Sequence, residues 1–154
     1  MTKQFPYRRQ HVRRAAVLVE SAIVLPVCLL LLLGMLELSV ALVRHTVMSE
    51  AARRIARAAM IHGGSASSAQ GHWGPASIAI DAADNHPVAT AVRDVLMTLD
   101  PSQVQIAIQW LDGGNQPDQR VRVAVTYRHV PIVPIPGWYD HLDLQGISTM
   151  RIAH

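Results

Sequence analysis

A single cysteine, Cys28, occurs in the 154 residues, so no intramolecular disulfide can form and no thiolate cluster can hold a metal. It lies in an apolar run, where a thiol packs as a small apolar side chain. Catalytic signatures are missing as well. The chain has no His-Glu-x-x-His, no Gly-x-Ser-x-Gly elbow and no phosphate-cradling Gly-x-x-x-x-Gly-Lys. Its eight histidines are scattered, and His62, His72 and His86 lack metal-ligand spacing. Asp81 and Asp84 form a carboxylate pair without a supporting pattern. No catalytic, cofactor-binding or metal-ligating residue can be named, and the chain reads as non-enzymatic.

Charge is scarce and unevenly placed. Only 16% of residues are charged, against 50% apolar, and the net charge is +3 with a pI near 9.6. Lys3, Arg8, Arg9, Arg13 and Arg14 open the chain with no acid among them. Arg53, Arg54 and Arg57 come later, mixed with Glu50. A nucleic-acid reader carries a basic face on its folded domain, usually with stacking aromatics. Here the arginines of the C-terminal part are scattered among aspartates, which argues against nucleic acid as a partner.

What the sequence does have is one long apolar block. Ser21 to Leu36 carries no charge, and the run from Val17 to Val43 is interrupted only by Glu20, Ser21, Glu37 and Ser39. A helix needs about 20 mostly apolar residues to cross a bilayer, and a helix of a soluble core would show a polar face. A cleavable secretory signal would have a shorter apolar middle and a small-residue cleavage site after it. Instead a helical pattern continues past Glu37. The block therefore reads as a transmembrane helix over residues 15–43, and residues 1–14 as a basic cytoplasmic leader. Lys and Arg mark the cytoplasmic side of a span, so the remainder is expected outside the cytoplasmic (inner) membrane of a bacterium. Pro26 is expected to bend the helix near Ala22, and Gly34 to admit a neighbouring helix. Glu20 and Glu37 are about 25 Å apart along a helix. An ionised carboxylate in lipid is costly and asks for a partner or an interface position.

The run Arg13-Arg14, Ala15, Glu20, Leu25-Pro26 and Gly34 with Glu37, followed by Glu50 to Arg57, resembles the N-terminal signature of TadE-like pilus assembly proteins. These are similar to minor pseudopilins of the tight-adherence (Flp-type) pilus. The resemblance covers roughly residues 13–60 and implies a pilin-like role in assembly, with other pilin-type subunits and the assembly machinery as partners. It also implies a prepilin peptidase acting between Ala15 and Ala16. Glu20 would then be the fifth residue of the mature chain and would set subunit register by pairing with a neighbour's free N-terminus. The chain departs from the pattern at Ala15, where the family usually has Gly, and at Ser21, where it usually has an aromatic residue.

Beyond the span, residues 44–62 read as an amphipathic helix with Val47, Ala51, Ile55 and Ala58 on its apolar side. Gly63-Gly64 should stop it. Residues 63–154 form a small α+β domain. After a loop over residues 63–77, Pro87 opens a helix with Val88, Val92, Val95, Leu96 and Leu99 on one side, ended by Asp100-Pro101. Period-two alternation then predicts strands over Gln103–Trp110 and Arg120–Arg128, joined by the turn Asp112–Asp118. A third strand over Leu142–Ala153 is expected to bulge at Gly146. Fewer than roughly 100 residues are only marginally stable alone. This three-stranded antiparallel sheet is therefore expected to pack on the long helix, in a pilin-like plan. The loop carrying Pro134, Pro136, Trp138 and Tyr139 is a candidate partner contact. A membrane-anchored periplasmic binding or adhesion module unrelated to pili is the competing reading.

Overall fold

The structure is a computed structural model and describes residues 8–131 and 141–153, with only the backbone of residues 8–14. The chain divides into two compact units, Met1–Ser39 and Val40–His154. Helix α1 spans Arg8–Ile61, beginning ahead of the expected Ala15. The second unit holds the last part of α1, then β1 (Ile78–Asp81), α2 (Pro87–Thr90), a 3₁₀ turn (Pro101–Gln103), β2 (Val104–Trp110), β3 (Arg120–His129) and β4 (Leu142–Arg151). The strands form one antiparallel sheet in the order β1-β2-β3-β4.

The fold is α+β as expected, but the sheet has four strands, not three. The strand missing from the sequence reading is β1, only four residues long. Two isoleucines in alternation give too little period for recognition. The strand is held by its register on β2, with Ile78 opposite Ile108 and Ile80 opposite Ile106. The helix expected over residues 87–99 is regular only from Pro87 to Thr90. Successive turns follow, closed by hydrogen bonds such as Val95 N to Val92 O (3.0 Å) and Leu99 N to Leu96 O (2.9 Å). Val88, Val92, Leu96 and Leu99 are nonetheless all buried. β-Branched residues favour a regular helix weakly. Here burial, not helical continuity, keeps their spacing.

Strands β2 and β3 alternate inward and outward as their period requires. Their inner face, Val104, Ile106, Ile108, Trp110, Val121, Val123, Val125 and Tyr127, joins one buried cluster with Met48, Ala51, Ala52, Ile55, Ala56 and Ala59 of α1. The buried stripe of α1 is centred nearer Met48, Ala52 and Ala59 than the expected Val47 and Ala58, both of which are half-buried. The alanines keep the helix thin where the sheet lies against it.

The expected bulge at Gly146 is absent, since β4 pairs with β3 residue for residue from Leu142 to Arg151. The glycine serves close approach instead. A Cβ at this position would overlap the backbone carbonyl of Met48 and the amide of Ser49.

The turn between β2 and β3 is fixed by an ion pair. Asp112 accepts from Arg120 through the backbone N (2.7 Å), Nη2 (2.7 Å) and Nε (3.2 Å). Charge-assisted hydrogen bonding to Arg120 holds the Asp112 carboxyl well below its ordinary 3.8, at about 2. Protonating a carboxylate that is stabilised in the folded state costs stability. The contribution of Asp112 is thus present above pH 3.8 and is lost as the pH falls through that value toward 2. Asp112→Asn should be less stable than the parent at neutral pH and lose less on acidification over that interval. Denaturation in detergent micelles at stepped pH measures both slopes. Equal slopes would contradict this role.

Candidate functional site: the apolar helix and its carboxylates

Main-chain hydrogen bonding within α1 satisfies its polar backbone except at the Ala22 carbonyl opposite Pro26, and such internal pairing is what allows a helix to lie in lipid. Its side-chain hydroxyls follow the same logic. Ser21 Oγ donates to Val17 O and Ser39 Oγ to Met35 O, each at 2.8 Å. Both hydroxyls are thereby folded back onto the helix. The large apolar side chains from Val17 to Leu38 are almost all exposed, and Cys28 among them is a free thiol. This helix is long and apolar enough to cross a membrane, and none of its most apolar window is buried.

Ala15 and Ala16 are exposed and lie inside α1. Glu20 is exposed, and among the described residues no side chain pairs with it. Glu37 is half-buried and has an interaction partner. Pro26 is contained within α1, where its ring leaves the Ala22 carbonyl without its usual donor. A Cβ at Gly34 would meet nothing within 4 Å. That surface is open to an approaching helix. Pro134, Pro136, Trp138 and Tyr139 lie outside the described residues.

Two polar clusters in the second unit escaped the sequence reading. In the first, Arg44 Nη1 donates to His129 Nδ1, with the guanidinium 5.3 Å from the centre of the Tyr127 ring. Arginine can only donate, so Nδ1 of the buried His129 is the acceptor. The alternation through Val121, Val123, Val125 and Tyr127 could have placed His129 inside, had it been carried one step further.

The second cluster centres on buried Asn115 in the β2–β3 turn. Asn115 Oδ1 accepts from Trp110 Nε1 (3.0 Å), and its Nδ2 donates to the Trp73 carbonyl. Its own carbonyl accepts from Gly64 N (2.5 Å). Trp73 in turn stacks on His62, ring centres 4.4 Å apart and planes 5° apart, and His62 Nδ1 donates to Gly71 O (2.8 Å). Gly74, at φ +86°, lies where a Cβ would overlap the Trp110 indole. Thus the segment after α1 is tied to the far end of the sheet. Asn115→Ala would leave the Trp110 N–H and the Trp73 carbonyl unpaired, at a cost of about 2–3 kcal/mol. Thermal melting followed by the near-ultraviolet tryptophan signal measures this, and an unchanged melting temperature would contradict it.

The remaining candidates resolve into local structure. His86 caps α2, its Nδ1 accepting from Val88 N (3.2 Å), and Asp84 Oδ2 accepts from Asp81 N (3.0 Å) within a turn. Arg54 bonds Asp94 at 2.7 Å and lies 3.7 Å from Glu50. The Arg54 hydrogen bond lowers the Asp94 carboxyl below its usual range. Among the described residues no three His, Cys, Asp or Glu side chains gather in a way that could hold a metal ion.

Residues 15–57 match the family model of TadE-like proteins. The resemblance read from the sequence is borne out over that stretch, which holds Glu20, Pro26, Gly34 and Glu37. Nothing matches among curated proteins or among solved structures.

Proposed function

We propose that this chain, whose helix carries the TadE-like match over residues 15–57, is a non-enzymatic pilus assembly component of the minor pseudopilin kind. It is anchored by α1 in the bacterial inner membrane with its N-terminus cytoplasmic and its C-terminal domain outside. The observation that carries the reading is a long apolar helix with an unburied surface, holding the exposed carboxylate of Glu20. Within lipid, such a carboxylate needs a countercharge, and the free N-terminus of a neighbouring pilin-type subunit supplies one. Gly34 gives the neighbour's helix a place to approach. Residues 1–14 serve as the basic leader, and a prepilin peptidase acting between Ala15 and Ala16 would expose the amine that makes this chain, in turn, a partner.

The test is a deletion strain complemented with the chain, in which surface fibres are sheared off and the membrane fraction is solubilised in mild detergent. Restored fibres and co-isolation with pilin-type subunits are expected. Normal fibres in the deletion strain, with no such co-isolation, would instead favour a binding or adhesion module unrelated to pili.

A further inference from the structure

We propose that the end of the Val40–His154 unit carrying Arg44 and His129 is a lipid-contact surface, seated at the headgroup level of the membrane. The inference rests on the reading of α1 as a span that ends near Val43.

Four large exposed apolar residues adjoin the Arg44–His129 contact along the chain or across the strand ladder. Leu42 and Val43 are 65% and 63% exposed and immediately precede Arg44. Val130, 57% exposed, follows His129, and Leu142, 44% exposed, is the strand partner of His129. The Arg44–His129 contact therefore brings the helix pair and the strand pair to one level of the unit. Elsewhere the outward face of the sheet is chiefly polar, with Gln105, Gln109, Arg122, Gln145 and Thr149 exposed, and Ile147 is a large apolar residue exposed among them. Single exposed apolar residues such as Met97 are ordinary on a protein surface. Four gathered at one end are not.

Two observations name a bilayer as the occupant. Within this unit the patch includes Leu42 and Val43 of α1, the residues at which the span is read to end, so the bilayer boundary falls beside them. A cation also stands at its border. Arg44 is half-buried, held by His129 and by the Tyr127 ring. His129 occupies one of five guanidinium donors, leaving others for phosphate oxygens. Arginine with its stem along apolar surface and its head at the phosphates is the common arrangement at a membrane boundary. The His129 and Tyr127 contacts fix its height.

The experiment uses the full chain with Cys28→Ser, carrying Val130→Cys, Leu142→Cys, Leu31→Cys or Met97→Cys. Each is labelled with a polarity-sensitive fluorophore and placed one chain per nanodisc, with anionic lipid. Parallel samples carry shallow spin-labelled lipid for positions 130, 142 and 97, or deep spin-labelled lipid for position 31, which lies about 18 Å along the helix from Val43. All four positions are exposed, and an unchanged circular dichroism spectrum selects folded samples. Labels at 130 and 142 are expected to be blue-shifted and quenched at least about threefold more than the label at 97, as for interfacial groups. Labels at 130 and 142 as unquenched as 97, with 31 quenched, would overturn the contact but leave the anchor standing. If 31 is also unquenched, the anchor and the contact both fall. A blue shift at 130 and 142 that arises only at high protein density, without lipid quenching, would assign the patch to a second copy and overturn the proposal.

Discussion

Gly146→Ala should destabilise the C-terminal unit by about 3 kcal/mol, at the upper end of what overpacking a core costs, and Gly146→Val should prevent its folding. The atoms that an added methyl group would meet are the carbonyl of Met48 and the amide of Ser49. Both belong to the backbone of α1. A clash with a side chain can be relieved by rotation, but relief here requires moving a helix whose neighbouring residues Ala51, Ala52 and Ile55 are fully buried. The strand cannot yield either, because Gly146 lies midway along an unbroken ladder opposite Val125. Thermal melting in detergent micelles should show a fall of about 10 °C or more for the alanine variant, at 4–8 °C per kcal/mol for a domain of this size. Adding Met48→Ala should not restore it, since the obstructing atoms are not in the Met48 side chain. A melting temperature within about 2 °C of the parent would contradict the close packing of α1 on β4.

The second large effect is on assembly. Glu20→Ala should abolish or reduce fibre formation by about tenfold or more, an energetic scale of 1.4 kcal/mol or above, while membrane insertion is unchanged or improved. Removing a carboxylate from an apolar helix lowers its insertion cost, so a loss of assembly cannot be attributed to a failed anchor. Glu20→Gln discriminates further. It keeps the size and hydrogen-bonding capacity of the side chain but removes the charge, and should resemble the alanine variant if pairing with a neighbouring amine is the role. Glu20→Asp should retain part of the activity. Normal fibre counts from Glu20→Ala, at equal protein levels in the membrane, would contradict the register role.

Legibility in the sequence followed the strength of the periodic signal. Strands β2 and β3 were readable because alternation persists over seven and ten residues, long enough to fix both the face and the register. The four residues of β1 were not, since their strand identity comes from the neighbour they pair with. Gly146 illustrates a different limit. A glycine within a strand signals either a bulge or a close backbone approach, and only the position of Met48 decides between them. The helix after Pro87 had the right buried residues and the wrong regularity, because apolar spacing reports burial before it reports backbone geometry.

The candidate site divides in the same way. The apolar helix was legible because the composition of a single segment marks a helix long and apolar enough to cross a membrane. Arg44 with His129, and Asn115 with Trp73 and Trp110, were not. Each joins residues far apart in the chain, and a lone polar residue in an apolar alternation gives no sign of its partner.

The central claim, that α1 packs against pilin-type helices in the membrane, is tested most directly by photocrosslinking in cells. A crosslinking amino acid would replace Leu30 or Leu38, one helical turn to either side of Gly34, or Leu32 on the opposite face, all three of them exposed. The account predicts crosslinks to a pilin-type subunit from positions 30 and 38 and few from 32. Crosslinks to no protein from any of the three, with the chain present in the membrane, would contradict it.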